Sequence, residues 1–423
     1  MYRSAVALAI FAGVILSLTD TPLFFEKAST WASRFAHCCV LNSNNYRDKH
    51  SRFDLIIAAG SIATFEKSGS DTLIELTQFL SQYKDQWKFG YLSYDLKNQL
   101  EALETNKPDP LQFADAHFFV PEHLLLLKDN KLEVISADAK LLIDEINSEV
   151  LDYESTVFQG EIKSRISKEE YISAIQEIQK EIKAGNCYEM NYCQEFYSEN
   201  CDFPPLAAYL LLNKVSATPF SAFFKNNDHY IISASPERYI QKRGPKLYSQ
   251  PIKGTAARGQ TLIEDQQLAL TLQTNPKERA ENIMIVDLVR NDLTKCAVPG
   301  TVEVEELCAI YQFPQVHQMI STVSAKISET TSFTDIIQAT FPMGSMTGAP
   351  KISAMQIIER TEPTRRSVYS GTLGYIHPTG DFDFNVVIRS LLYNEKNKYV
   401  SYQVGSAITA DADAESAVCA KLD

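Results

Sequence analysis

The sequence has no excess of basic residues. Its 40 lysines and arginines are outnumbered by 53 aspartates and glutamates, which gives a formal net charge of −13. Proteins that bind nucleic acids need a basic face for the phosphate backbone. The charge balance therefore argues against a nucleic-acid partner. It also requires that any anionic ligand be held by positive charge gathered locally, against the field of the whole chain.

Paired cysteines are also missing. Eight cysteines are present, but none forms a Cys-x-x-Cys pair and none has the cysteine-histidine spacing of a metal site. In a chain of this size we interpret them as free thiols in a reducing compartment, most of them with packing roles. The neighbours Cys38 and Cys39 fit that interpretation, because adjacent cysteines form a disulfide only with strain.

Internal repeats and low-complexity tracts are absent from the sequence. The apolar run at residues 5–18, after Arg3, has the charge and length of a secretory signal segment. It is too short for a confident membrane span, and no Ala-x-Ala cleavage site follows it. We therefore predict no membrane association. With 45% hydrophobic residues, the 423-residue chain can fill two or three ordinary cores or one large one.

The pattern of the chain predicts two regions, at residues 18–150 and 164–423. The first contains strand-like and helix-like runs; the strands are at residues 54–59 and 89–94, and the helices at residues 22–35 and 72–83. The charged, weakly patterned residues 140–163 are predicted to connect the two regions. Periodicity alone indicates a mixed α and β chain.

A lysine and a glutamate form the first candidate catalytic pair. The turn residues Gly244 and Pro245 separate two segments that alternate with a period of two, and a hairpin centred there places Glu237 opposite Lys253. A carboxylic acid and an amine in contact shift each other's pKa values, and so can supply a general acid and a nucleophilic amine near neutral pH. Pairing alone leaves a surface ion pair as the alternative.

Polar and acidic residues mark two further candidate surfaces. An amphipathic helix at residues 169–183 leads into a strand that places Glu189 and Asn191 on its polar face. That face is the candidate wall of a site, although a solvated strand residue remains the alternative for Glu189. Glu278 and Glu281 are three apart on a predicted helix, so both carboxylates project from one face. A divalent cation such as magnesium would relieve their repulsion, and a solvated helix face is the alternative.

A glycine-containing segment at residues 344–351 precedes a predicted helix. Ile352, Met355 and Ile358 are expected on its inner stripe, and Pro350 fits a first helical turn. The preceding glycines would let backbone N–H groups point at an anion. The spacing differs from that of a nucleotide P-loop.

An arginine near the end of the chain is the candidate ligand for a carboxylate. Asp383, Asn385 and Arg389 are predicted to lie on one face of a strand whose other face is apolar. The fork of the guanidinium group makes Arg389 suitable for bidentate capture of a carboxylate.

Seven ordered stretches together resemble the chorismate-utilising enzymes, a family that includes anthranilate synthases and isochorismate synthases. They are residues 182–191, 235–238, 251–255, 278–293, 344–351, 385–389 and 405–411. Residues 89–95 resemble the N-terminal part of the same family. The resemblance implies an α+β fold, in which both regions interleave into one two-layer β-sandwich flanked by helices.

The resemblance also implies an activity. Lys253 in Pro-Ile-Lys-Gly-Thr is typical of the branch that aminates chorismate at C4, towards 4-aminobenzoate and folate, whereas anthranilate synthases usually carry Ala there. Isochorismate synthases have a lysine at the position of Glu189, so an acid argues against that activity. Anthranilate synthesis and a catalytically impaired chorismate-binding relative remain the alternatives.

The family's functional positions can be carried over residue by residue. Lys253 would attack chorismate, Glu237 would be the general acid, and Glu278 and Glu281 would hold Mg²⁺ against a chorismate carboxylate. The remaining candidates for substrate binding are Glu189, Asn191, Thr255, Ser345, Thr347, Gly348, Arg389 and Gly405. The sequence shows no amidotransferase cysteine-histidine constellation, so we expect a separate glutamine amidotransferase subunit to supply ammonia.

Departures from the family pattern concern the metal and the ends of the chain. Ala417 and Ala420 stand where family members have two glutamates that complete the metal site, with Glu415 nearby, so weak magnesium binding is expected. Gln318 takes the place of a histidine common in anthranilate synthases. Family members usually begin near a segment like residues 18–27, so the earlier residues are expected to be an extension or the result of a misplaced start. A cytoplasmic location is expected, because a secreted enzyme would be separated from chorismate.

Overall fold

The computed structural model describes residues 14–101, 103–151 and 158–413, which form two antiparallel β-sheets and their surrounding helices. The strands up to residue 199 are β1 (Val14–Ser17), β2 (His37–Asn42), β3 (Leu55–Ala59), β4 (Ala63–Lys67), β5 (Lys88–Leu92), β6 (Ala116–Val120), β7 (His123–Lys128), β8 (Lys131–Ile135), β9 (Lys163–Ser164) and β10 (Glu189–Glu199). The later strands are β11 (Phe220–Asn226), β12 (His229–Ser235), β13 (Arg238–Arg243), β14 (Lys246–Gln250), β15 (Ile252–Ala257), β16 (Glu303–Gln312), β17 (Val316–Lys326), β18 (Gly348–Ala349), β19 (Thr372–Ile376), β20 (Phe382–Asn385), β21 (Ser390–Asn394) and β22 (Tyr399–Ile408). The α-helices are α1 (Thr21–Ser33), α2 (Thr72–Gln82), α3 (Lys97–Leu100), α4 (Ala139–Ser148), α5 (Lys168–Lys183), α6 (Pro205–Val215), α7 (Leu262–Thr274), α8 (Pro276–Thr294), α9 (Phe333–Thr340) and α10 (Lys351–Thr361).

Both sheets contain strands from both predicted regions. The first sheet has the order β1-β8-β7-β3-β2-β11-β12-β21-β22-β10-β18, with β9 beside β10. The second has the order β15-β17-β14-β13-β20-β19-β5-β6-β4, with β16 beside β17. Strand β2 pairs with β11, and β5 pairs with β19, so the regions are interleaved. The α+β fold with an interleaved β-sandwich is thereby confirmed, while the boundary between the two regions stays a prediction.

Strand β3 shows how the layers are built. Its sequence, Leu-Ile-Ile-Ala-Ala, is continuously apolar, and all five residues are buried. Ile56 and Ala58 belong to the core between the sheets, whereas Ile57 and Ala59 pack in a second core with Trp31 of α1. A strand that is covered on both faces has an unbroken apolar run rather than an alternating one.

The helix prediction at residues 169–183 is confirmed by α5, which begins with a capping box between Ser167 and Glu170. The predicted connection at residues 140–163 is partly wrong, because α4 occupies its first part. Leu142 and Ile146, four residues apart, are the buried face of α4. They contribute to the core beneath α1, which explains why this charged segment folds as a helix.

The seven cysteines within the described residues are free thiols, as predicted, and all but Cys296 are buried. Cys419 lies outside the described residues. Across the part of the chain that the structure covers, none of the helices combines the length and the apolar character needed to cross a bilayer. Of the apolar run at residues 5–18, only the last residues are described, and there Val14–Ser17 forms β1.

Candidate active site

A cavity of about 700 Å³ opens where the edges of the two sheets meet. The first sheet contributes β10 and β22 to its walls, and the second contributes β15 and β17. A short turn at Gly344–Met346 and the segment before β21 complete the lining. The cavity brings together seven of the candidate residues: Asn191, Glu237, Lys253, Thr255, Ser345, Arg389 and Gly405.

Glu237 lies between β12 and β13 and is only 4% exposed. Burial raises the pKa of its carboxyl group to about 7. The nearby Ser345 hydroxyl and Ile252 N–H, together with the cations Lys253 and Arg389, lower the pKa without cancelling the effect of burial. Glu237 can therefore hold a proton near neutral pH, which is the property a general acid requires.

Lys253 lies in β15 with an ion pair to a buried glutamate. Its Nζ donates a hydrogen bond to Oε1 of Glu189 at 2.8 Å. The Glu189 side chain is 2% exposed, and its Oε2 is buried without a hydrogen-bond partner among the described residues. The alternative of a solvated strand residue is thus excluded for Glu189. Its carboxylate meets the Lys253 amine and does not itself line the cavity.

The predicted register of the hairpin is wrong. Arg238 pairs with Gln250, a bulge follows it, and β14 ends at Gln250. Pro251 interrupts the ladder because it has no N–H to donate. Lys253 belongs to β15, which pairs with β17 instead. Glu237 and Lys253 consequently face one cavity without being opposite each other in a hairpin.

Asn191 and Gly405 form the wall contributed by the first sheet. A Cβ atom on Gly405 would lie 2.4 Å from Oδ1 of Asn191 and 2.9 Å from Sγ of Cys193. Such contacts are too close, so the side chain of Asn191 can occupy this position only beside a glycine. The Asn191 Nδ2 group donates a long hydrogen bond of 3.5 Å to the Ser345 carbonyl, which connects this wall to the turn.

Thr347 and Gly348 lie behind the wall and do not line the cavity. The Thr347 hydroxyl donates to two carbonyl groups of its own loop and is fully buried. A Cβ atom on Gly348 would lie 2.3 Å from the carbonyl oxygen of Glu189, so this glycine permits the close pairing of β18 with β10. Ser345 and Met346 are the residues of this segment that reach the cavity.

The start of α10 differs in detail from the prediction. Pro350 is the N-cap residue and precedes the first turn. Ile352 is 49% exposed and is not on the inner stripe, which instead consists of Ala354, Met355, Ile357 and Ile358. The side chain of Lys351 bonds to Asp292 of α8 and to two backbone carbonyls, so it fixes this segment against α8.

Arg389 reaches the cavity by a different backbone path from the predicted one. Strand β20 ends at Asn385, and Arg389 lies beyond it with a φ of +51°. Asp383 accepts hydrogen bonds from Arg238, and Asn385 accepts one from the Leu373 N–H. The prediction of a shared strand face is therefore wrong, and Arg389 alone of the three predicted residues lines the cavity with a solvent-accessible side chain.

Thr255 and Gln318 are cross-strand neighbours in β15 and β17, and both line the cavity. Gln318 is 2% exposed, and its Oε1 has no hydrogen-bond partner within the described part of the chain. An unpaired buried amide oxygen is an available acceptor at the wall.

Sequence reasoning missed an arginine that supports this wall. Arg366 is fully buried and donates to the carbonyl oxygens of Met346 at 2.6 Å and Asn191 at 2.9 Å. Its charge is balanced by Glu362, whose Oε1 lies 2.6 Å from Nη2. The spacing of Glu362 and Arg366, four residues apart, is the sequence signal that could have found the pair.

Glu278 and Glu281 lie on α8 beside the Lys253 strand. Glu278 Oε2 would be 3.0 Å from a Cβ atom on Gly254. Burial and then the neighbouring carboxylate of Glu189 raise the pKa of Glu281. Two carboxylates suit magnesium, which keeps several waters and bridges to an anionic substrate. Among the described residues, no three acidic, histidine or cysteine side chains converge on one metal position, and Glu415, Ala417 and Ala420 lie outside them.

Comparisons with known proteins identify the family of the chain. Residues 36–418 match the chorismate binding enzyme family. The chain is 31% identical to aminodeoxychorismate synthase component 1 of Escherichia coli (strain K12), over 92% of this chain and 93% of that protein. It is 32% identical to anthranilate synthase component 1 of Cereibacter sphaeroides, over 78% of this chain and 70% of that protein.

Solved structures show the same fold. Anthranilate synthase component I from Streptococcus pneumoniae superposes with a TM-score of 0.76 at 24% identity, covering 89% of this chain and 92% of that chain. A menaquinone-specific isochorismate synthase from Escherichia coli gives a TM-score of 0.73 at 16% identity, covering 97% and 92%. With its family match and its relatives over most of its length, the chain belongs to the chorismate binding enzymes.

Proposed function

We propose that the chain is an aminodeoxychorismate synthase component 1, which converts chorismate and ammonia to 4-amino-4-deoxychorismate on the route to 4-aminobenzoate and folate. The observation that carries the proposal is the presence of Lys253 and Glu237 in one cavity. The first can act as an amine nucleophile, and the second is an acid whose pKa is raised to about 7. The relative from Escherichia coli supports the same assignment.

The cavity suits a small anionic ring compound. Its volume of about 700 Å³ falls in the range of small-molecule sites. Chorismate carries two carboxylates, whereas the chain has a net charge of −13, so binding needs local cations. Arg389 presents a solvent-accessible guanidinium group in the cavity, and its fork geometry matches a carboxylate. The Asn191 amide and the Thr255 hydroxyl provide further hydrogen bonds.

The proposed reaction uses the two cavity residues in turn. The Lys253 amine bonds to C2 of chorismate, and the C4 hydroxyl leaves as water after Glu237 protonates it. Ammonia then bonds to C4 and releases Lys253. A raised pKa suits Glu237 to this role, because an acid with an ordinary pKa would be ionised at neutral pH.

Magnesium, a glutaminase partner and the compartment are further parts of the proposal. Glu278 and Glu281 would hold Mg²⁺, which when bound supplies positive charge to a substrate carboxylate. Their position on α8 beside β15, and the raised pKa of Glu281, support this assignment. Ammonia would come from a glutamine amidotransferase subunit, and the enzyme would act in the cytoplasm, where chorismate is made.

Product analysis tests the proposal. The purified chain is incubated with chorismate, magnesium and ammonium, and the products are separated with and without an aminodeoxychorismate lyase. We expect 4-aminobenzoate only when the lyase is present. Anthranilate is the second candidate product, favoured by the 32% identity to an anthranilate synthase component 1. If anthranilate fluorescence develops without any lyase, the proposed function is wrong and the chain has anthranilate synthase activity instead.

A further inference from the structure

The amine of Lys253 is held in a buried ion pair. Its Nζ donates to Glu189 at 2.8 Å, and the two side chains are 12% and 2% exposed. An ammonium group has no free electron pair, so a lysine in this ion pair must lose a proton before it can act as a nucleophile. Something within reach must therefore accept that proton.

Glu189 is placed to accept it. Among the residues that the structure describes, it is the carboxylate within 4.0 Å of Lys253 Nζ. The charged groups that surround the pair are Glu278 and Glu281 on α8 and Glu237 in the same cavity, and none of these is within ion-pair distance of Nζ.

A purely structural role explains Glu189 poorly. Its Oε2 is buried without a hydrogen-bond partner in the described part of the chain, which destabilises the folded state. A buried ion pair is seldom more stabilising than well-packed apolar residues of the same volume.

We propose that Glu189 takes the proton of the Lys253 ammonium when chorismate binds, and returns it when Lys253 is released from the ring. This inference rests on the proposed function. Glu189 acts through Lys253, so it is a positioning and proton-accepting residue rather than a ligand of the substrate.

The chemical steps balance without any further reagent. An N–H bond of Lys253 breaks and an O–H bond forms on Glu189, which leaves a neutral amine and a neutral acid. The amine lone pair bonds to C2 while the C4–O bond breaks and Glu237 protonates the departing hydroxyl. Ammonia bonds to C4, the C2–N bond breaks, and its electron pair returns to Lys253. Glu189 then returns its proton to Lys253, and Glu237 takes one from the new C4 ammonium.

The test follows formation of the covalent adduct directly. Wild type, Glu189→Gln, Glu189→Asp and the control Glu199→Gln are mixed with chorismate and magnesium but no ammonium, and the adduct on Lys253, chorismate less water, is followed by mass spectrometry. Glu199 is a matched control because it ends the same strand with an exposed side chain. Glutamine keeps the shape and the hydrogen-bond acceptor of Glu189 but does not take up a proton.

We expect Glu189→Gln to slow adduct formation by about 10²-fold near neutral pH, within the usual range for a lost general base. The difference should narrow as the pH is raised, because hydroxide in the solvent then replaces the missing base. Glu189→Asp should be intermediate, Glu199→Gln should match the wild type, and chorismate affinity by calorimetry should change by less than about threefold. If Glu189→Gln does not fold, the rate of adduct formation in Glu189→Asp tests the inference.

Three outcomes overturn the inference. The first is that Glu189→Gln forms the adduct with the rate and pH profile of the wild type, and the second is that this variant loses chorismate affinity by the same factor as its rate of adduct formation. The third is that the wild type forms product without any adduct. Failure of the proposed function looks different. If the wild type forms the adduct but releases anthranilate when ammonium is added, the role of Glu189 stands and the assigned product is wrong.

Discussion

The two walls of the cavity differ in kind. The wall from the first sheet, at Asn191 and Gly405, carries no charge. It is held by close packing and by the Arg366 side chain, which donates a hydrogen bond to the Asn191 carbonyl oxygen. The wall from the second sheet and the chain leading into it carries Lys253 and Glu237, with the α8 glutamates beside it. One wall therefore gives the cavity its shape, and the other gives it reactive groups.

Glu189 is the exception that connects the walls. It belongs to β10 of the first sheet, yet its carboxylate pairs with Lys253 of the second. The two buried glutamates of the site also differ, because burial raises the pKa of Glu237 to about 7 whereas Glu189 is compensated by a cation. Substitutions on the reactive wall should affect turnover, and those on the neutral wall should affect binding.

The largest effect is expected from Lys253→Ala. Removing a nucleophile acts on the transition state, so amination should fall by at least about 10³-fold while chorismate affinity changes little. Product formation at saturating ammonium and calorimetric binding are the measurements. Lys253→Arg, which keeps a positive charge beside Glu189, controls for the charge and should be equally inactive. Full activity of either variant would show that the reactive wall has no covalent role.

Glu237→Gln should give the next largest effect. Loss of a general acid typically lowers turnover by about 10² to 10⁴-fold, and KM should change little because Gln keeps the size of the side chain. In the wild type, kcat/KM should fall as the pH rises above about 7, where the acid loses its proton. The variant should lack this fall. A wild-type profile that stays flat from about pH 6 to 9 would contradict the role of Glu237 as an acid.

Gly405→Ala tests the neutral wall. The added Cβ would lie 2.4 Å from Asn191 Oδ1, so the amide must move. We expect KM for chorismate to rise about tenfold with a smaller change in kcat, as for lost ground-state binding. The control is a double-mutant cycle: in an Asn191→Ala background, Gly405→Ala should add little. Additive effects would mean that the clash acts through Cys193 instead.

The sequence patterns predicted which residues form the reactive wall but not the strand register that places them there. Lys253 and Glu237 were predicted as a pair, but through a hairpin register that a bulge and Pro251 alter. A two-residue period cannot show where a ladder is interrupted, and one extra residue reverses the direction of every side chain. The two residues still meet because the chain passes directly from β14 into β15 at the cavity edge.

The neutral wall was harder to predict because it depends on tertiary contacts. Thr347 and Gly348 carry the motif of an anion site, but the structure uses them for close packing against β10. Arg366 was not among the predicted site residues, although its guanidinium group donates a hydrogen bond to the Asn191 carbonyl oxygen. The helical period was sufficient to predict α5, and a continuous apolar run was sufficient to predict β3, whereas close approach between distant segments has no local pattern.

A smaller effect is expected from the α8 glutamates, which extend the reactive wall. Glu281→Gln should weaken magnesium binding about tenfold, because charge holds this hard cation. Titration calorimetry with and without chorismate measures this, and Asp287→Asn, an exposed acid on the same helix, is the matched control. Wild-type magnesium binding should be weak without chorismate, and Ala417→Glu with Ala420→Glu should strengthen it. Tight binding by the unmodified chain would contradict this expectation.

The smallest effect concerns stability and separates the two buried glutamates. Burial raises the pKa of Glu237 from its usual 4.5 to about 7, so folding binds a proton between these values. Glu237 consequently destabilises the fold as the pH rises through this window, and the full cost is present above about pH 7. Glu237→Gln removes that cost, so its melting temperature should exceed that of the wild type by about 2 °C or more at pH 8. The difference should shrink towards pH 5, where the wild-type carboxyl is protonated in the folded state. Scanning calorimetry across this range, with Glu199→Gln as an exposed control, decides the matter: a constant offset would mean that packing, rather than proton binding, distinguishes Glu237 from its amide.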